Sequence, residues 1–212
     1  MRLTDGELNK GDGLILRKFA WLVLVTGLII FGVGAFQYVS TIQKERQATS
    51  EAHELLAKSR ETPIEDREAL RHTFKPEAGE TVGLLGIDKI EASIPIVEGT
   101  DPEELEKGVG HYASTKYPGD NSQILFSGHR DTVFTRLGEV EVGDIISVEL
   151  PYGTFDYEMV SSKIVDADDS TIIQPQLTEE ELVISTCYPF GYIGNAPDRY
   201  IIYAKPVSQT EE

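Results

Sequence analysis

The chain has a single cysteine, Cys187, among its 212 residues. A disulfide bond within the chain is therefore impossible. If the protein is exported, a lone cysteine is either a buried apolar side chain or a free thiol kept for chemistry. Basic residues are scarce as well, with 19 Lys and Arg against 36 Asp and Glu and a formal net charge of −17. Because such a surface repels phosphate backbones, we expect no nucleic-acid partner.

Charge is absent from residues 19–36, a run of eighteen residues that is mostly apolar. At about 1.5 Å per residue, a helix of this length approaches the roughly 30 Å hydrocarbon core of a bilayer. Arg17 and Lys18 directly precede the run. Since cytoplasmic flanks carry the excess of Lys and Arg, a cytoplasmic N-terminus is favoured. The sequence predicts a single-pass anchor in the cell membrane. The alternative is a signal peptide cleaved near residues 33–35, which would also export the rest of the chain.

The anchor divides the chain into predicted segments. Residues 1–18 are the cytoplasmic N-terminus, 19–36 the transmembrane helix, and 37–78 a polar, partly helical stalk outside the membrane. Apolar residues in the stalk are too sparse to bury a full helix face. Residues 79–207 form the main domain, and 208–212 a polar tail.

The main domain consists of short β-rich runs separated by turn residues. Pro151-Tyr152-Gly153 is typical of a hairpin turn. A short helix is predicted over 102–107, with Asp101 as its N-cap and Gly108 ending it. The strands are predicted over residues 82–87, 90–97, 123–126, 145–150, 155–165, 182–186 and 200–204. The pattern predicts a mainly β fold, either a closed barrel or a sandwich.

Two reactive side chains follow apolar strand runs. Cys187 ends the run LVIST, and His129 comes directly after QILFSG. Scaffolded reactive groups are commonly placed at such strand ends. For Cys187 the alternative is an ordinary buried core position. His129 has a charged neighbour, Asp131, that could orient its ring, whereas His111 is expected to be an ordinary histidine.

Arg199 opens the last predicted strand, after the loop that follows Cys187. A surface ion pair with Asp198 or Glu158 is the alternative role for Arg199. A cysteine, a histidine and an arginine could together carry out thiol-dependent acyl transfer. A thiol needs a base or a nearby cation to become a thiolate. A histidine can protonate a departing amine near neutral pH, and a guanidinium can donate to an oxyanion.

These motifs resemble the sortases, cysteine transpeptidases of Gram-positive cell surfaces. The family signature TLxTC corresponds to residues 183–187, with Val183 and Ile184 replacing its first two residues. The family arginine corresponds to Arg199 and the Gly-His segment to Gly128-His129. The resemblance covers about residues 80–206 and is greatest to class D. It implies an eight-stranded sortase β-barrel with short helices, behind the N-terminal transmembrane helix.

The resemblance also implies an activity. Cys187 would attack the carbonyl of the Thr–Gly (or Thr–Ala) bond in an LPxT-type sorting signal, and an amine of peptidoglycan or its precursor would resolve the thioacyl enzyme. His129 and Arg199 would be the other catalytic residues. A lid motif typical of pilus-polymerising sortases is absent, because Asp101-Pro102 precedes a glutamate, so an anchoring role is favoured. The alternatives are an exported thiol hydrolase or protease and a non-catalytic surface-binding β domain.

The segment 167–181 is predicted to form one wall of the peptide groove, because apolar residues in a surface loop often contact a ligand. Inward packing to close the barrel is the alternative. The predicted substrate-binding residues are Thr186, Ile172, Ile173 and Pro175. No cofactor is predicted. Calcium is an alternative through the acidic residues Asp166, Asp168 and Asp169.

Overall fold

The computed structural model describes residues 10–192 and 194–207, with side chains described from residue 16 onward. Within these residues, three α-helices precede or interrupt the strands: α1 (Lys10–Arg60), α2 (Ile64–Thr73) and α3 (Pro102–Leu105). The eight strands are β1 (Thr81–Ile87), β2 (Ala92–Glu98), β3 (Val109–His111), β4 (Gln123–Gly128), β5 (Ile145–Leu150), β6 (Gly153–Asp166), β7 (Glu181–Tyr188) and β8 (Asp198–Pro206). Short 3-10 turns cover Asp88–Ile90, Leu137–Glu139 and Ser170–Ile172.

The strands close into one barrel in the order β1-β2-β3-β4-β7-β8-β6-β5, with β5 pairing back to β1. Two of the pairings, β2–β3 and β4–β7, are parallel, and the others are antiparallel. Closure gives each described strand a partner on both sides, so the described part of the sheet has no free edge. The expectation of an eight-stranded barrel is confirmed.

The barrel is filled by side chains that alternate inward along the strands. Buried aliphatic and aromatic residues from all eight strands or their connections form the main core, including Leu85, Ile96, Phe126, Ile146, Tyr157, Ile184 and Ile202. A smaller cluster of Leu125, Ile172, Val183 and Ile201 lies on the other face of β4, β7 and β8. Strands β4, β7 and β8 therefore bury apolar side chains on both faces.

Each of the seven predicted strands is present, and the hairpin turn joins β5 to β6. The eighth strand, β3, was not predicted because it is only three residues long. The predicted helix at 102–107 is shorter and ends at Leu105. Asp101 is its N-cap residue, but its side chain makes no capping hydrogen bond.

The residues that the structure describes divide into two compact units, one up to Gln43 and the other from Lys44 onward. In the first unit, the apolar residues of α1 from Phe19 to Phe36 are exposed, and the helix is long and apolar enough to cross a membrane. In the second unit, the last turns of α1 contact the barrel, because Ala52 and Leu56 are buried with Leu84 of β1. Residues 44–60 thus bury a helix face, which the sparse apolar pattern did not indicate. The predicted segment boundaries stay predictions.

Candidate active site

The parallel pairing of β4 and β7 brings two reactive side chains together. Gly128 is the register partner of Thr186. His129 and Cys187 each come one residue later, so they leave the barrel at the same end. This relationship depends on the parallel direction, since an antiparallel pair would send them to opposite ends.

Gly128 and Thr186 hold this strand end in place. The Thr186 hydroxyl, which is buried, donates a hydrogen bond of 2.8 Å to the Gly128 carbonyl oxygen. A Cβ added at Gly128 would lie 2.5 Å from the Phe134 ring, so only glycine allows this close packing. His129 is therefore presented from a fixed backbone. The predicted substrate-binding role of Thr186 stays a prediction; in the structure its hydroxyl is engaged with β4.

The antiparallel pairing of β7 and β8 brings in the third side chain. Cys187 and Arg199 are direct register partners. Directly opposed residues of an antiparallel pair project to the same face, with Cβ atoms about 4.5–5.5 Å apart. The thiol and the guanidinium therefore share the face that His129 also reaches.

Cys187, His129 and Arg199 line one cleft of about 460 Å³. Its apolar walls come from Leu105, Tyr112, Leu125, Ile172 and Ile173, and its polar lining includes Thr100, Ser127, Ser185 and Thr186. The same three residues also line a neighbouring cavity of about 230 Å³, together with Arg130, Asp131 and residues 194–196. Cys187 is half-buried and lines both cavities, so it does not occupy an ordinary core position.

The predicted groove wall is only partly in the cleft. Ile172 and Ile173 line it, and Ile172 also packs in the smaller core cluster. Both expected alternatives, ligand contact and inward packing, therefore apply to Ile172. Pro175 does not line the cleft, and its carbonyl oxygen accepts a hydrogen bond from Ser122.

The Arg199 guanidinium is held by backbone oxygens. It donates to the carbonyls of Asp198 at 3.0 Å and Ala196 at 3.4 Å. Among the residues that the structure describes, no carboxylate lies within 4.0 Å of it, so the expected alternative of an ion pair with Asp198 or Glu158 is absent there. A half-buried cation without a neutralising carboxylate can serve an anion that forms in the cleft.

Asp131 does not orient the His129 ring as the sequence suggested. Its carboxylate accepts a hydrogen bond of 3.1 Å from the Arg130 side chain. Arg130 itself is buried and donates to three carbonyls of the segment between β7 and β8. Sequence reasoning missed Arg130, and the one available signal was its position directly after His129.

The other barrel histidine is a buried structural group, in agreement with the sequence. The ring of His111 lies 2.7 Å from the Glu98 carboxylate and stacks on Tyr117. Tyr117 donates its hydroxyl proton to the same carboxylate. Burial, with the hydrogen bond to Glu98, raises the pKa of Tyr117 far above its ordinary value, so the phenol remains a donor at physiological pH. His53 lies on α1 and His72 on α2, away from the cleft.

The acidic residues considered for calcium lie partly at the cleft. Asp168 and Asp169 line it, and hydrogen bonding with the side chain and backbone of Thr171 lowers the pKa of Asp169. Within residues 10–192 and 194–207, no three His, Cys, Asp or Glu side chains come together as a metal site. The structure gives the calcium alternative no support.

Comparison with known proteins assigns this barrel to one family. A family model described as a sortase domain matches residues 85–207. Sortase D of Bacillus subtilis (strain 168) is 50% identical over 190 residues, which cover 88% of this chain and 96% of that protein. The similarity to class D that the motifs indicated is therefore confirmed.

Solved structures of sortases have a similar fold. The Clostridium perfringens Sortase D5 transpeptidase has a TM-score of 0.66 and 26% identity, covering 78% of this chain and 99% of its own. Sortase C of Streptococcus pneumoniae shares the fold, with a TM-score of 0.63 and 21% identity over 76% of this chain and 98% of its own. The chain belongs to the sortase family of membrane-associated cysteine transpeptidases.

Proposed function

We propose that Cys187, His129 and Arg199 carry out a two-stage transpeptidation on an LPxT-type sorting signal. The observation that carries the proposal is that these three side chains line one cleft, at the adjoining ends of β4, β7 and β8. Each type suits one requirement of the reaction. The thiolate is the nucleophile, the imidazole moves protons, and the guanidinium donates to negatively charged oxygen.

In the first stage, the Cys187 thiolate attacks the carbonyl carbon of the signal's threonine. A carbon–sulfur bond forms, and the carbonyl oxygen becomes negative beside Arg199. The intermediate then collapses, the peptide carbon–nitrogen bond breaks, and the His129 imidazolium gives its proton to the departing amine. A thioester to Cys187 and a neutral His129 remain.

In the second stage, an amine of the cell wall or its precursor attacks the thioester carbonyl. The neutral His129 accepts the proton that the amine loses, and the carbon–sulfur bond breaks. The products are a new amide and the Cys187 thiolate, with His129 protonated again. The cycle therefore returns the enzyme to its starting state, and neither stage uses a cofactor.

The apolar wall of the cleft suits the leucine and proline of such a signal. Leu105, Ile172 and Ile173 offer aliphatic surface along one side. Ligand sites of this kind combine a mostly apolar lining with a few placed polar groups. We propose that Ile172 and Ile173 contact the signal, and that Pro175 supports their loop without contact.

The membrane topology is part of the same proposal. An exported barrel meets sorting signals and wall amines outside the cell, and the basic residues before the apolar run favour a cytoplasmic N-terminus. Because the chain has one thiol, an impermeant maleimide applied to intact cells tests this. Labelling of the immunoprecipitated chain supports export, and labelling that appears only after lysis contradicts it; the Cys187→Ala chain is the blank.

The activity is tested with the full chain in detergent and an LPxT peptide, with and without an added amine. We expect cleavage after threonine and a new amide when the amine is present. Release of the free acid at the same rate, with no amide at any amine concentration, would identify a thiol hydrolase instead. A folded chain whose Cys187 resists a small maleimide would favour the non-catalytic binding domain.

A further inference from the structure

The side chain of Arg130 is buried among the atoms of a neighbouring loop. It directly follows His129 in the sequence, and only 4% of the side chain is exposed. Its guanidinium donates to the carbonyls of Pro189 at 3.1 Å, Tyr192 at 2.6 Å and Gly194 at 2.9 Å. The guanidinium also lies 5.6 Å from the centre of the Tyr192 ring.

These contacts tie one segment together at several points. All three acceptors belong to the connection between β7 and β8, and they lie 59 to 64 residues away in sequence. Hydrogen bonds from a charged donor are roughly twice as strong as neutral ones, and a planar fork fixes direction as well as distance. Arg130 thus links three residues of this connection through hydrogen bonds from one side chain.

The same connection carries one of the two oxygens that hold Arg199. The Arg199 guanidinium donates to the Ala196 carbonyl, two residues after Gly194, and to the carbonyl of Asp198, the first residue of β8. A connection whose upstream part is released would let the Ala196 carbonyl move. Arg199 would then lose a fixed direction toward the cleft.

Arg130 is poorly placed to bind substrate itself. It borders the smaller cavity, but its donors already face three carbonyls and the Asp131 carboxylate. A buried cation that is satisfied in this way acts through what it holds rather than through solvent.

We propose that Arg130 is a positioning residue that acts through Arg199. By fixing the β7–β8 connection, it keeps the Arg199 guanidinium directed at the oxyanion that forms on Cys187. The inference depends on the role of Arg199 proposed above. It adds a residue whose contribution to the reaction disappears once Arg199 is removed.

A double-mutant cycle on the full chain in detergent tests this, with wild type, Arg130→Met, Arg199→Ala and the double variant. Turnover of an LPxT peptide is compared only among variants whose near-ultraviolet circular dichroism matches that of the wild type, so that folded enzyme is compared with folded enzyme. We expect Arg130→Met to lower kcat at least about tenfold with KM changed less than about threefold. In the Arg199→Ala background the same change should cost less than about twofold, because coupled residues are not additive.

The outcomes are distinguishable. If Arg130→Met lowers kcat equally in both backgrounds, or does not lower it in the wild-type background, the inference is overturned. The proposed function still stands in that case, provided that Arg199→Ala alone lowers kcat. An Arg199→Ala enzyme of normal turnover overturns the Arg199 role, and the inference with it. If Arg130→Met does not fold, Arg130→Lys replaces it in the cycle, because an ammonium keeps the charge but cannot reach three separated carbonyls. Arg136→Met, an exposed arginine paired with Glu139, is the matched control and should retain normal kcat.

Discussion

Cys187 and Arg199 face each other directly across the antiparallel ladder of β7 and β8. Twelve positions separate them in the sequence, yet the register makes them neighbours on one face of the barrel wall. Each strand also has a second partner: β7, which carries Cys187, pairs with β4, and β8, which carries Arg199, pairs with β6. A guanidinium on such a rigid pair can hold its direction while charge develops on a neighbouring oxygen, which is the condition for electrostatic stabilisation without reorganisation.

Cys187→Ala should abolish thioacyl formation and leave the barrel folded. The chain has no second thiol, and a small substitution at a half-buried strand end should change the free energy of unfolding by less than about 1 kcal/mol. Mass spectrometry after mixing with an LPxT peptide measures the adduct, and urea denaturation measures stability. Persistent acyl transfer by the alanine variant would remove Cys187 as the nucleophile.

Arg199→Ala and Arg199→Lys should both slow peptide turnover by about 10²–10³, the usual loss for one oxyanion donor. Lysine keeps the charge but lacks the planar pair of donors. Cys187 alkylation by a small reagent should persist, because that reaction forms no oxyanion. Arg136→Lys is the control and should retain normal turnover. Near-normal turnover of Arg199→Lys would argue against directed donation.

Ile173→Ala should raise KM for an LPxT peptide several-fold and leave Cys187 alkylation unchanged. The residue lines the cleft wall, and loss of apolar contact costs about 25 cal/mol per Å² of buried surface. Ile164→Ala, on the exposed side of β6, is the control. Exchange of the whole segment 167–181 with that of a sortase of other specificity should change the preferred signal. Unchanged preference in the exchanged protein would contradict the assignment of this wall.

His111→Ala should lower the free energy of unfolding by about 1–3 kcal/mol, the usual cost of leaving a buried hydrogen-bonding group without a partner. The substitution removes one of the two side chains that hydrogen-bond to the Glu98 carboxylate, and Tyr117 is the remaining donor. His72→Ala, on an exposed helix position, should change stability by less than about 0.5 kcal/mol. Urea denaturation of both variants gives the comparison, and equal stabilities would mean that the buried pair contributes nothing.

Leu56→Ala should destabilise the barrel by about 2 kcal/mol, at the low end for a buried leucine because only one side of the helix is covered. Leu56 is 4% exposed and packs with Ala52 on Leu84 of β1. Leu70→Ala, on a residue that is 38% exposed, is the control. Near-ultraviolet circular dichroism of the barrel tyrosines during denaturation measures both. Equal midpoints would show that the end of α1 adds no stability to the barrel.

The local features of this protein follow from its amino-acid sequence. An uncharged apolar run predicts a membrane helix because hydrocarbon excludes charge, and alternating β-rich runs predict strands because successive side chains face opposite ways. The reactive types at strand ends, Cys187, His129 and Arg199, were visible for the same local reason. Short β3 was missed because three residues carry too little periodicity to stand out.

Tertiary structure alone decided which of these features meet. The parallel pairing of β4 with β7 puts His129 beside Cys187, and it joins segments that are 58 residues apart. The role of Arg130 cannot be predicted from the sequence, because the carbonyls to which it donates lie 59 to 64 residues away. The helix face at Ala52 and Leu56 is buried only because Leu84 of β1 packs against it. Such contacts depend on chain closure over long loops, which no local pattern of residues encodes.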